Sequence, residues 1–301
     1  MKKQSKSLIA AGVGVCLISS AALANYSTGN GYDALKKGAW GLVESDNFTL
    51  DIDASLTIDE NNVANSKEHM EYDGANKLSY SKGNSYVNGA GKKTSEIWES
   101  ADKSVYYSPY SWSARNEQTK HYSVYQYEHE FGTPLEMMTG ETEQGRKILN
   151  FVEALADTVV GDLRNNFVYA GNEDGANCYQ INLSAVQIPE LISSGLSAIT
   201  AVEKSYVADD AEFEEFDGTN LDSVMATLRD VNIDSVNGRV LINEDGTLRG
   251  ANGDVCFVGY DKHGSEHSIV IGLGISVSDY GTTAPKTIDV SALDQNDVDY
   301  Y

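Results

Sequence analysis

The chain has 301 residues, with 45 acidic against 22 basic side chains and a net charge of −23 at neutral pH. So large an anionic excess repels nucleic-acid phosphates and anionic membrane surfaces, and nucleic acid is excluded as a partner. Beyond the N-terminal segment, no apolar stretch is long enough to cross a bilayer as a helix.

Lys2, Lys3 and Lys6 precede an uncharged, apolar run from Leu8 to Ala24. The run ends in Ala22-Leu23-Ala24, a small-x-small pattern that a signal peptidase accepts. Residues 1–24 are therefore expected to be an export signal. Its 17-residue apolar run sits at the lower bound for a membrane-spanning helix, so an uncleaved anchor is the alternative. Cys16 follows Val15 rather than a small residue, which argues against lipid modification. Removing the segment takes away three lysines and no acid, leaving 19 basic against 45 acidic side chains, a net of −26. The expected location is extracytoplasmic: secreted, or held at the outer face of the cytoplasmic membrane.

Tyr32, Leu35, Ala39, Leu42 and Val43 share one side of a 3.6-residue period and predict an amphipathic helix from Tyr32 to Glu44. From Phe48 to Ile58 every even position is apolar and every odd position polar, the pattern of a strand with one dry and one wet face. Residues 60–130 continue as polar, tyrosine-rich strands, with turns expected at Asp73-Gly74 and Lys82-Gly83-Asn84. Helices are expected from about Glu143 to Asn165, from Pro189 onward, and around Leu221 to Leu228, with a strand from Cys178 to Leu183 between the first two. Two hairpins follow, turning at Asn243-Glu244-Asp245-Gly246 and at Asp261-Lys262-His263-Gly264. The last long strand alternates Ile269, Ile271, Leu273, Ile275 and Val277 with small or polar residues, and Asp294 to Tyr301 form an acidic tail expected to fray. Cys178 and Cys256 lack C-x-x-C spacing; two separate thiols are expected, with a single disulfide as the alternative.

Strands, then helices, then strands again imply an α+β fold, with a curved antiparallel sheet packed against several helices. No repeat or linker divides residues 25–293, which read as one domain. The ending, Gly259-Tyr260-Asp261-Lys262-His263-Gly264 followed by a strand closing in Val277-Ser278-Asp279-Tyr280-Gly281, resembles the half-barrel lipid-carrier superfamily. That group includes the periplasmic lipoprotein carrier LolA and mycobacterial lipoproteins of the LppX type, and similar segments occur in exported proteins of Gram-positive bacteria. The resemblance implies a half-barrel sheet bent over an apolar cavity that takes acyl chains, and it supplies no catalytic residue. The lipoprotein cysteine of the LppX type is missing here.

The chain contains no G-x-S-x-G elbow, P-loop or H-E-x-x-H motif. Ser79 with Lys82, Ser45-Asp46-Asn47 and Lys93-Thr94-Ser95 fail the order and content of a penicillin-binding site. His263 and His267 fall in a turn rather than on a helix, and His121 and His129 share only a strand face, so neither pair predicts a metal site. Asn243 to Gly246 lacks the twelfth-position ligand of a calcium loop. With 45 acids, the sequence singles out no carboxylate pair for glycoside hydrolysis. No enzyme activity, cofactor or metal is expected. The candidate apolar lining is Leu50, Ile52, Ala54 and Leu56 on the first strand, with Ile269, Ile271, Leu273 and Ile275 on the last. The sequence thus reads as an exported, non-enzymatic binding protein for an apolar ligand such as a lipid. The alternative is a surface interaction or sensor module with a filled core, whose partners would be envelope components. N-terminal sequencing of the secreted protein should find Asn25 first; material retaining residues 1–24 in the membrane would favour the anchor.

Overall fold

The computed structural model describes residues 30–87, 91–108, 121–126, 168–187 and 228–301. Within these residues a helix, α1 (Asn30–Val43), leads into β1 (Asn47–Ile58), β2 (Asn61–Asp73), β3 (Leu78–Val87), β4 (Gly91–Glu99), β5 (Lys103–Ser108) and β6 (His121–Gln126). A second series follows: β7 (Val168–Glu173), β8 (Ala176–Ser184), β9 (Arg229–Asn243), β10 (Leu248–Tyr260), β11 (Glu266–Ser278) and the short β12 (Val298–Tyr300). All twelve form one sheet in the order β12-β6-β5-β4-β3-β2-β1-β11-β10-β9-β8-β7. Only the β12–β6 pair is parallel.

This corrects the expected α+β class. The described fold is almost entirely strand, one large open sheet with a single α-helix laid on it. Its strands are long, reaching fifteen residues in β9, and each interior strand finds backbone partners on both sides. The helices expected at 143–165, from Pro189 and at 221–228 lie largely or wholly outside the described residues, as do the export segment and His129. Of the last stretch, Leu228 is described; it is buried and directly precedes β9.

The two series meet at β1, which pairs with β2 on one side and β11 on the other. Ile52 lies opposite Ile275, Ala54 opposite Leu273, and Leu56 opposite Ile271. The β1–β2 connection is a two-residue loop in which Asp59 (φ +46°) and Glu60 (φ +68°) both adopt the left-handed region, as the twist of a tight hairpin requires. Asp59 secures this conformation from β11: one carboxylate oxygen accepts the Ser268 N–H at 2.9 Å, and the other lies 2.7 Å from His267 Nδ1. Lys82-Gly83-Asn84, expected as a turn, instead runs through the interior of β3, with Gly83 opposite Glu68 and Ser95. Pairing on both sides overrides the local turn signal.

The apolar positions fall on opposite faces in the two halves of the sheet. The larger core lies on the face of Leu50 and Val277 and is one cluster, which takes in Ile181, Leu183 and Val240 between its two ends. Phe48, Leu50, Leu248 and Val277 close one end together with Leu42 of α1. Ile58, Ile269, Phe257 and Ile233 close the other. At Gly38, α1 comes so near that an added Cβ would sit 2.9 Å from Ile242 Cδ1, so glycine is what permits the approach. A second core lies on the opposite face of β4–β6, where Val105 and Val124 meet Val290 and Val298.

The segment after β11 carries those last two valines across the sheet. Thr283 bonds to Thr49 at 2.9 Å and to Asn47, and the Lys286 N–H donates to Glu71 at 2.8 Å. Residues 294–301, expected to fray, form a turn capped by Asp294 and then β12. Burial of Val298 and main-chain pairing with β6 hold this end in place.

This orientation predicts unequal mutational costs on β1. Leu50→Ala, at a site with no exposed surface, should lose about 2–5 kcal/mol in denaturant melts. Asp53→Ala removes only an exposed 2.9 Å ion pair with Lys67 and should stay within about 0.5 kcal/mol. Equal losses would overturn the assignment of faces.

Candidate functional site

The eight residues expected to line an apolar site all lie on one face of β1 and β11, side by side through the register of the two strands. They are not equivalent. Leu50 and Ile269 are fully buried within the two closed ends, and Leu273 is nearly so. Ile52, Ala54, Leu56, Ile271 and Ile275 occupy the middle and are half-buried.

The same face continues onto strands that the sequence reading left out. Following the register, one row runs Ala54–Leu273–Gly253–Gly238–Ile181 across β1, β11, β10, β9 and β8. Its centre is a pair of facing glycines. A Cβ on Gly253 would come within 2.5 Å of the Asn237 carbonyl, and one on Gly238 within 3.0 Å of Ile181 Cγ2. Bulkier rows flank it: Ile52–Ile275–Ala251–Val240 on one side and Leu56–Ile271–Val255–Val236 on the other. The result is a shallow trough on β9 and β10, floored by the two glycines, with Leu273 and Ile181 at its ends and aliphatic rows as its walls. The alternation of Ala251, Val255 and Phe257 was a usable signal for β10, but glycines read as turns or bulges and hid the trough floor.

On the β2 side the face changes character. Glu68 lies opposite Ile52, and Ser66 lies opposite Ala54. Burial alone pushes the Glu68 carboxyl above its ordinary value. Beyond them Ser85 and Gly83 continue the two rows on β3.

The opposite face of β1–β4 is a ladder of charge, with Asp51, His69, Lys82 and Glu96 in lateral register. His69 lies 2.8 Å from Asp51 and 3.1 Å from Glu71. Burial would lower its imidazole, but the hydrogen bonds and charges of Asp51 and Glu71 outweigh that and hold it above the ordinary value. Glu71 moves the opposite way: burial raises it, and the bonds from His69 and the Lys286 N–H bring it below the ordinary range. Lys286 also places its ammonium 4.5 Å from the Tyr80 ring centre. The phenol of Tyr80 is raised by burial and by donating to Glu96 at 2.8 Å.

Cys178 and Cys256 are free thiols. Cys178 is in register with Leu241 and Gly250, six residues along β10 from Cys256 and two strands away. That offset is about 20 Å, far beyond disulfide reach. Among the described residues, no group of three or more His, Cys, Asp or Glu side chains could hold a metal ion, and no helix is long and apolar enough to cross a membrane.

No family model matches this chain, and no curated protein matches its sequence. Among solved structures, the chain is similar to lipovitellin, described under "lipid-protein interactions in lipovitellin", with a TM-score of 0.26 and 9% identity. The similarity covers 82% of this chain and 26% of that one, so the chain spans about a quarter of lipovitellin's length.

The His69 pairing has a definite sign with pH. A raised imidazole stabilises the fold below the unfolded-state value near 6.5, and the gain is lost as pH rises through the folded-state value. His69→Gln should therefore cost about 1 kcal/mol at acid pH, a figure discounted for partial exposure, and less at alkaline pH. Urea melts at pH about 5.5 and about 8.5 check this; a larger loss at the alkaline end would refute it.

Proposed function

We propose that this is an exported, non-enzymatic carrier that holds an apolar ligand, a lipid, against the Ala54 face of its sheet. The observation that carries the reading is the trough itself. A sheet that filled its own core would place large side chains all across the middle of its apolar face, yet here Ala54, Gly253 and Gly238 break the middle row and leave Leu273 and Ile181 as its large members. The half-buried side chains Ile52, Ala54, Leu56, Ile271 and Ile275 lie between the packed ends. Affinity in such a site comes from buried apolar area, about 25 cal/mol for each Å² removed from water. The predominantly antiparallel connectivity suits the half-barrel lipid carriers that the chain's ending resembles, and the N-terminal segment suits export.

A rival reading, a surface interaction module, draws on one observation. Val168 and Tyr169 stand 59% and 55% exposed on the edge strand β7, a place where another chain could add a strand.

The two readings part on ligand uptake. Delipidated protein at micromolar concentration should enhance the fluorescence of N-phenylnaphthylamine, an uncharged apolar probe. Ala54→Trp lays an indole along the middle row and should weaken that uptake at least about tenfold, or about 1.4 kcal/mol, with the unfolding midpoint little changed. If the wild-type protein takes up no probe, the carrier reading fails and the interaction module replaces it.

A further inference from the structure

The polar end of the same face bears on which lipid would bind, a question that rests on the carrier reading. Gly83 on β3 has no side chain, and Glu68 stands directly opposite it on β2. A Cβ at Gly83 would meet only Ser95 Oγ, at 3.1 Å, so the position is a notch between Glu68 and Ser95. Ser66 adjoins Glu68 along β2, and Ser81 and Ser85 flank Gly83 along β3. Among the described residues Glu68 makes no hydrogen bond or ion pair, and the three serine side chains make no hydrogen bonds. Half-buried carboxyls are ordinarily paired, because leaving one unpartnered beside apolar neighbours costs free energy.

We propose that this notch receives the head group of the amphiphile whose tail lies in the trough, and that the head is uncharged and hydroxylated, of the sugar or glycerol kind. The row from Ala54 to Ser66 and Ser85 runs straight from apolar side chains to hydroxyls, so one molecule can span both. Hydroxyl heads both donate and accept. Glu68 accepts hydrogen bonds that their O–H groups donate, and the serines complete the set in either role. An acidic head would meet the Glu68 carboxylate at close range in a half-buried site, on a chain already carrying a net charge of −23. A bare quaternary ammonium would leave the serine hydroxyls without a donor or acceptor to meet.

The test uses three amphiphiles with one tail: dodecyl maltoside, dodecyl phosphate and dodecyltrimethylammonium. Each displaces N-phenylnaphthylamine from the delipidated full chain at neutral pH, below its micelle concentration. The wild-type protein should prefer the maltoside by at least about tenfold over the phosphate, and over the ammonium by a smaller margin. Glu68→Gln keeps a hydrogen-bonding side chain, so maltoside binding should hold within about threefold while phosphate binding gains about tenfold. Gly83→Val fills the notch; it should weaken the maltoside at least about fivefold and leave the headless probe unchanged. Equal affinity for maltoside and phosphate in the wild type, tighter binding of the ammonium, or no change in either variant would overturn the assignment. A wild-type protein that binds the probe but does not discriminate heads refutes only this inference. One that binds no probe refutes the carrier reading beneath it.

Discussion

The antiparallel pairing of β1 with β11 is the constraint on which the rest of the structure depends. It joins two strand series linked elsewhere through the segment after β11 and β12, and its partners stand more than two hundred residues apart, as in Ile58 opposite Ile269. Each lateral row of the apolar face passes through this seam, so a slip of one residue would turn Ile52, Ala54 and Leu56 toward water. Several independent features hold the register. Aliphatic pairs line one face, the Asp59 carboxylate clasps the start of β11, and Gly272 makes room for Ser55, whose Oγ would lie 2.7 Å from an added Cβ.

Because the two halves bury opposite faces, one covering layer cannot serve both. Helix α1 lies on the β9–β10 end of the first face, and the segment after β11 crosses the second. That crossing segment is tied down by a short electrostatic chain: Asp51 and Glu71 share His69, and Glu71 in turn accepts from Lys286. Negative charge is abundant throughout the chain. Here it is organised, with Asp51 and Glu71 each given a donor. Glu68, on the reverse face of the same strand, has none among the described residues, and the contrast marks it out.

Much of the seam was legible in the sequence. Strict period-two alternation over residues 48–58 and 269–277 gave both strands and the correct dry face, and the turn residues placed the β9–β10 and β10–β11 hairpins. The overall class was not legible, since apolar periodicity shows what a segment prefers and not how many strands will join one sheet. β2 was opaque for a specific reason. Its core-facing row reads Ala64, Ser66, Glu68, Met70 and Tyr72, with polar side chains in the middle, so Glu68 looked like one more wet position in a polar stretch. The second core was hidden because Val290 and Val298 acquire meaning only when β4–β6 are already in place beneath them. Gly238 and Gly253 carry a row of the sheet by having nothing to show.

The placement of β12 sets an order of events in time. β12 follows β6 by a long stretch of chain, yet it covers the open edge of that earlier strand. The central strand β1 likewise waits for β11. A chain emerging N-terminus first therefore holds β1 and β6 with unpaired edges until β11 and β12 are available. Such a topology folds late and as a whole, with few stable stopping points on the way. It stays threadable while those partners are missing, and the arrival of β12 is what covers the β6 edge.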